Sequence, residues 1–344
     1  MSLKSLMKDW MLPIAMVSGA SLYIIYHFMP EPVHRLGPVL EVIVSLAQPL
    51  LIFSMLFLTF CRIEPRDLKP HRWHWWLLLI QGGFFVLFGA CAWLLMNYFP
   101  SASQRWQVIL ESAMLCFICP TATAAAVVTR KLGGDVPGIT TYIVLINLLT
   151  AVLVPLVVPV VRPVNDVGFY ELFSMISAKV FPLLITPCLC AWLVRYLFPR
   201  LHERLMRYSD LAFYLWGVAL TLAIAVTVKS IINSNMSIGL LLSIALVSLV
   251  CCVFHFSSGR YIGSRYKPRR ADVSLEAEER GRYVRTVTAG QSIGQKNTVF
   301  AIWMGYTFMT PETAIIGGFY SIWHNIYNSR QLRRSKIASE QASK

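Results

Sequence analysis

"GQSIGQKNTVFAIW", residues 290–303, sets Lys296 in a stretch that otherwise reads as embedded in a membrane. A charged side chain at the centre of a spanning helix costs about 2.5–3.5 kcal/mol on insertion scales, so it faces a polar interior and usually has a task. Gly294 lets the backbone bend there. A second apolar run is interrupted at Cys119-Pro120, where the proline has no amide hydrogen and stops a continuous helix.

Composition fixes the solvent in which these breaks are read. The chain has 344 residues, 56% of them hydrophobic and only 14% charged, with a mean hydropathy of +0.58. Soluble domains carry about 25% charged residues. The sequence is therefore that of a polytopic membrane protein embedded in a lipid bilayer. Its formal charge of +14 does not point to nucleic acid, because the basic residues lie in short clusters between apolar runs.

About 20 apolar residues span the hydrocarbon as a helix, and ten candidates of that size are present. They lie near 9–29, 36–61, 73–98, 107–131, 137–161, 173–198, 209–233, 237–257, 285–308 and 311–329. The fourth and ninth are the broken ones, each the second-to-last span of a five-span half. Discontinuous helices at matching positions of two halves point to an inverted-repeat transporter with its site at the bilayer midplane. The expected fold is thus all-α, with ten transmembrane helices in two inverted five-helix repeats, the fourth and ninth crossing.

The distribution of Lys and Arg orients the chain. Of 31 such residues, 25 fall on one side of the spans. Arg35, Arg105, Arg162 and Lys229 fall on the other, and Lys179 and Lys296 lie within spans. The positive-inside rule then places both termini in the cytoplasm. The first apolar run follows Lys4 and Lys8 but shows no small-residue cleavage site, so it reads as a retained helix in a plasma or bacterial inner membrane. The segment "RYKPRRADVSLEAEERGRYVR" (265–285) reads as a mixed-charge loop. Eight cysteines, nearly all in apolar spans, argue against a disulfide framework. Cys116-x-x-Cys119 has no His or second pair beside it, so no metal, cofactor or catalytic constellation is expected and the protein does not read as an enzyme.

Four motifs in order resemble the bile acid:sodium symporter family. "CPTATAAAVVTRKLGGDV" (119–136) is similar to the family's crossing fourth helix, and "GGFYSIWHNIYNS" (317–329) to its last helix. The glutamine of "LLLIQGGFF" and the "FSM" of "PLLIFSMLF" fit earlier helices. The resemblance implies a panel part, about 1–61 and 173–233, rocking against a core part, about 73–161 and 237–329, with a cytoplasmic tail at 330–344. It also implies transport of organic anions coupled to sodium.

Read by their chemistry, the residues of the crossover are Pro120, Thr121, Thr123, Gln295 and Asn297, supplying hydroxyl, amide and freed backbone groups. The departures from the family pattern matter as much. Its Ser-Asn pair in the fourth helix reads Ala125-Ala126, and its Thr/Ser-rich turn in the fifth reads "IVLIN" (143–147), leaving only Asn147. Its acidic residue in the ninth helix falls on Ser292, and a nearby glutamine on Lys296. Gln81 matches the third-helix glutamine. A hard cation needs several oxygen ligands and favours a carboxylate, so sodium binding is doubtful.

The expectation is a secondary carrier of an organic anion or small solute, sodium-independent, in which the Lys296 ammonium replaces the cation. It would bond to Gln81, Ser292, Asn297 and free carbonyls, and could exchange a proton or act as a fixed counter-charge. The alternatives are a conventional sodium symporter with rearranged ligands, and a non-transporting sensor or scaffold. Lys296 could instead pair structurally with Glu111. Glu111, His324 and Asn325 are further candidates, while Glu41 reads as interfacial, Lys179 as snorkelling, Glu312 as a helix cap, and Trp73, Trp75 and Trp76 as an aromatic belt.

Overall fold

The computed structural model describes residues 3–99, 104–164, 166–208, 211–234, 236–266 and 275–342. These form α1 (Leu3–His27), α2 (Glu31–His34), α3 (Gly37–Phe60), α4 (Arg72–Tyr98), α5 (Gln104–Ile118), α6 (Ala124–Lys131), α7 (Val136–Val161) and α8 (Phe169–Leu184). The chain continues through α9 (Thr186–Leu197), α10 (Pro199–Arg207), α11 (Leu211–Asn233), α12 (Ile238–Arg265), α13 (Leu275–Gly294), α14 (Thr298–Phe308) and α15 (Pro311–Ala342). No strand occurs among the described residues. With no water in the hydrocarbon, a helix satisfies its own backbone, which is why so apolar a chain folds this way.

Six segments are long and apolar enough to cross a membrane: α3, α4, α7, the α8–α9 pair, α11 and α12. The sixth expected span is thus two helices that meet at Ile185, two residues ahead of Pro187, which has no amide hydrogen to continue the ladder from Leu183. The expectation of a loop at 265–285 is corrected: the segment is helical from Leu275 onward, its residues 267–274 lying outside the described set. α15 runs on through the expected tail to Ala342.

The helices pack as a continuous network. α1 lies on α11, α11 on α3, and α3 on α9; α4 packs on α5 and α7, and α12 on α5, α13 and α15. α7 also packs against α8, and α11 against α15. The α12–α13 approach is close because α12 presents Gly259 and Gly263, spaced like a small-xxx-small pair. A Cβ added at Gly263 would sit 2.4 Å from Arg285 O, and one at Gly259 2.5 Å from Ala289 O.

Several polar residues find partners that the sequence did not reveal. Glu41 on α3 pairs with Lys229 on α11 at 2.5 Å. The exposed Lys179 places its ammonium 5.7 Å from the centroid of the Phe308 ring. Trp75 and Trp76 are exposed, but Trp73 is buried against His74 and Tyr142, so it belongs to the α4–α7 core and not to a belt. Glu312 lies in the first turn of α15, although the cap is Thr310, whose hydroxyl accepts from Thr313 N at 3.1 Å.

Candidate functional site

The two broken spans meet back to back. Thr121, between α5 and α6, and Lys296, between α13 and α14, form an isolated antiparallel bridge. Ala122 N donates to Gln295 O at 2.9 Å, and Asn297 N donates to Pro120 O at 2.8 Å. Each break thus supplies backbone partners to the other. Pro120 contributes only its carbonyl, as a residue without an amide hydrogen must. Asn297 caps α14, its Oδ1 accepting from Phe300 N at 3.2 Å. Thr123 stands at the N-cap of α6, half-buried, with no capping bond from its side chain.

Where a helix stops, its last carbonyls need donors, and here the protein itself provides them. Gln81 donates to Phe117 O at 2.6 Å and more weakly to Cys119 O at 3.4 Å, while accepting from the Tyr142 hydroxyl. Thr150 donates to Ile118 O at 2.9 Å, and Thr121 to Ser292 O. The Tyr320 hydroxyl donates to Gly294 O at 2.9 Å, and the Cys119 thiol to Asn297 O at 3.0 Å. The carbonyls expected to be free for an ion or a substrate are largely engaged.

Lys296 is 2% exposed, and its Nζ has no hydrogen-bond partner in the protein. It does not bond to Gln81, Asn297 or the carbonyls, which are engaged at the breaks themselves, nor to Ser292. Nor does it pair with Glu111. That carboxylate, fully buried, takes the Arg162 guanidinium at 2.7 Å and also accepts from Gln107 and Thr313. The ammonium instead lies among Cys116, Cys119, Cys251 and Cys252. It borders a cavity of about 10 Å³ lined also by Thr298, Gly317 and Tyr320. The carbonyl ends of α5 and α13 at the crossover favour a cation, whereas the first turn of α14, which brings Thr298 to the cavity, favours an anion.

The remaining sequence candidates separate. Ser292 is buried beside the bridge with its hydroxyl unpartnered, as is Gln295 Oε1. Asn147 donates to Ile143 O of its own helix, and its Oδ1 has no partner. Asn325 also turns back, donating to Ser321 O at 2.7 Å, because on α15 it points away from the face that carries Tyr320 and His324. His324 is 4% exposed, one turn from Tyr320. Sequence reasoning missed Cys116, Cys251, Cys252 and Tyr320 as neighbours of the lysine. Their signal was only that polarisable side chains recur at one depth in several spans, which apolar packing explains equally well.

A profile of the Sodium Bile acid symporter family matches residues 49–236. The chain belongs to this family. No curated protein matches it. Family membership and the apolar helices make it an integral membrane protein of a transporter family. The matched region contains Gln81, Pro120, Thr121, Thr123 and Asn147, and stops short of α12. Ser292, Gln295, Lys296 and Asn297 lie beyond it, so the half of the crossover that carries the charge is read from geometry.

Proposed function

We propose that the protein is a secondary active carrier that moves an organic anion or small solute by alternating access, without sodium, with the Lys296 ammonium standing where the family holds a cation. One observation carries this reading: the carbonyls at the two helix ends already receive protein donors, while a buried, unpartnered ammonium supplies the positive charge. A sodium ion would have to compete for engaged oxygens and accept a neighbouring like charge. An anion meets the reverse situation, because α6 and α14 both begin at the crossover and helix N-termini favour negative charge.

In this reading the ten spans are α1, α3, α4, α5–α6 and α7, then α8–α9, α11, α12, α13–α14 and α15, as two inverted repeats. The group containing α1, α3, α8–α9 and α11 acts as a panel, and the rest as a core. Both termini face the cytoplasm. Proton exchange at Lys296 then becomes the leading candidate for coupling.

The test is uptake into proteoliposomes of a panel of carboxylates and sulfonates, with sodium replaced by choline and a pH gradient imposed. Uptake of at least one anion that persists without sodium is expected. Uptake only under a sodium gradient identifies a conventional symporter, and no uptake of any solute identifies a sensor or scaffold.

A further inference from the structure

Below the crossover, buried polar side chains without protein partners gather along one seam. On α15, Ser321, His324 and Asn328 recur at spacings of three and four, so they share a helix face, and they are 1%, 4% and 4% exposed. Ser321 Oγ, His324 Nδ1 and Asn328 Nδ2 each lack a partner, as does Gln291 Oε1 on the facing side of α13. Thr129 Oγ1 on α6, which packs on both α13 and α15, is also unpartnered. The walls of the seam are tied by side chains: Gln291 Nε2 donates to Asn328 Oδ1 at 2.9 Å and to Gln331 Oε1 at 2.8 Å.

The upper end of the seam is the lysine cavity. Tyr320 lines that cavity and bonds Gly294 O at the crossover, while His324 sits one turn further along. The lower end is Gln331, half-buried beside Arg330, Arg333 and Arg334, on the basic side of the protein. From Tyr320 to Gln331 the helix rises about 16 Å, roughly half of the ~30 Å hydrocarbon core. Buried polar atoms in proteins are satisfied by protein or by ordered water, and leaving one unmade costs about 1–3 kcal/mol. So many on one face cannot all be left bare, whereas a chain of waters with two to four polar partners each answers every one of them.

We infer that the α6–α13–α15 seam holds a file of ordered water that connects Lys296 with the cytoplasmic face. This rests on the reading of Lys296 given above for its consequence, but not for its existence. Along this file an N–H bond of the ammonium breaks, its proton adds to the adjacent water, and the positive charge leaves with the proton, so that a neutral amine remains. The reverse transfer recharges the lysine. The groups that face Lys296 and share its field are Cys116 from α5 and Cys119 just after it, Cys251, Cys252 and His255 from α12, and Tyr320 from α15, with His324 one turn beyond Tyr320.

Two measurements on the full-length protein in nanodiscs test this. Hydroxyl radicals generated by pulsed X-rays from water modify side chains that touch it, and the protein carries its own dry controls. His324 is buried like His74, but both ring nitrogens of His74 are bonded within the protein, whereas His324 Nδ1 has no protein partner. His324 is expected to be modified at least about tenfold faster than His74. Equal protection of the two histidines overturns the inference, whatever Lys296 does. In the second measurement Asn328→Leu fills the seam, and the rate of the tryptophan fluorescence change after a pH jump is expected to fall about tenfold with its midpoint unmoved. An unchanged rate contradicts the connection to Lys296. If instead Lys296→Gln leaves the fluorescence change intact while His324 is labelled rapidly, the water file stands and the role given to the lysine falls.

Discussion

Lys296→Met is expected to melt at a higher temperature than the wild type and to transport nothing. Methionine fills nearly the volume of the lysine stem, so packing around Cys116, Cys119 and Tyr320 is kept. What is removed is an ammonium that is 2% exposed and has no hydrogen-bond partner in the protein. Placing such a charge in a span costs about 2.5–3.5 kcal/mol, of which the C-terminal ends of α5 and α13 return a part, so a gain of roughly 2 kcal/mol is expected. Stability gained together with activity lost is the usual signature of a residue kept for function. Thermal melting in detergent beside anion uptake in liposomes measures both. A variant that melts lower, or that carries anion at the wild-type rate, contradicts the account.

The opposite sign is expected at Glu111. Its carboxylate is fully buried and holds together three helices: Gln107 on its own α5, Arg162 at the end of α7, and Thr313 at the start of α15. Removing one partner of a buried pair costs about 3–5 kcal/mol when the other is left bare. The Arg162 side chain is 25% exposed and can recover water, which brings Glu111→Ala to the lower end, about 3 kcal/mol. Glu111→Gln keeps bonds to Thr313 and Arg162 and is expected to lose less than half as much. Melting temperatures of the two variants decide it. Equal losses would mean that the charge, and not the network, holds this end of the core.

The two cases show what the sequence could and could not convey. Hydropathy marked the six segments that are long and apolar enough to cross a membrane because a spanning helix must be apolar over a fixed length, and Pro120 and Gly294 marked the breaks because each changes what the backbone can do. That the breaks bond to one another through Thr121 and Lys296 is a pairing across 175 residues, and no local pattern encodes it. Partners were the least legible feature. Glu111 and Lys296 are both buried, and pairing them was an alternative the sequence left open; Arg162, counted among the loop residues, reaches back to take the carboxylate instead. Gln81 looked like a remnant ion ligand, yet an amide that can accept from an ion can equally donate to Phe117 O. Only the position of α5 shows which it does. The helical start of α13 was hidden because "SLEAEERGRYVR" is charged throughout, as a cytoplasmic loop or a solvated helix end can both be.

The central claim is that Lys296 stands in place of a sodium ion, and the direct measurement is thermal melting of the purified protein while sodium replaces choline at constant ionic strength, across pH, for the wild type and Lys296→Gln. A ligand that binds only the folded state stabilises it by about 2.7 kcal/mol at a hundred times its dissociation constant. The account predicts a wild-type melting temperature indifferent to sodium at every pH, with a pH-dependent transition that disappears in Lys296→Gln. A saturable rise of the wild-type melting temperature with sodium would contradict it, and would show that the oxygens at the two helix ends still hold an ion beside the lysine.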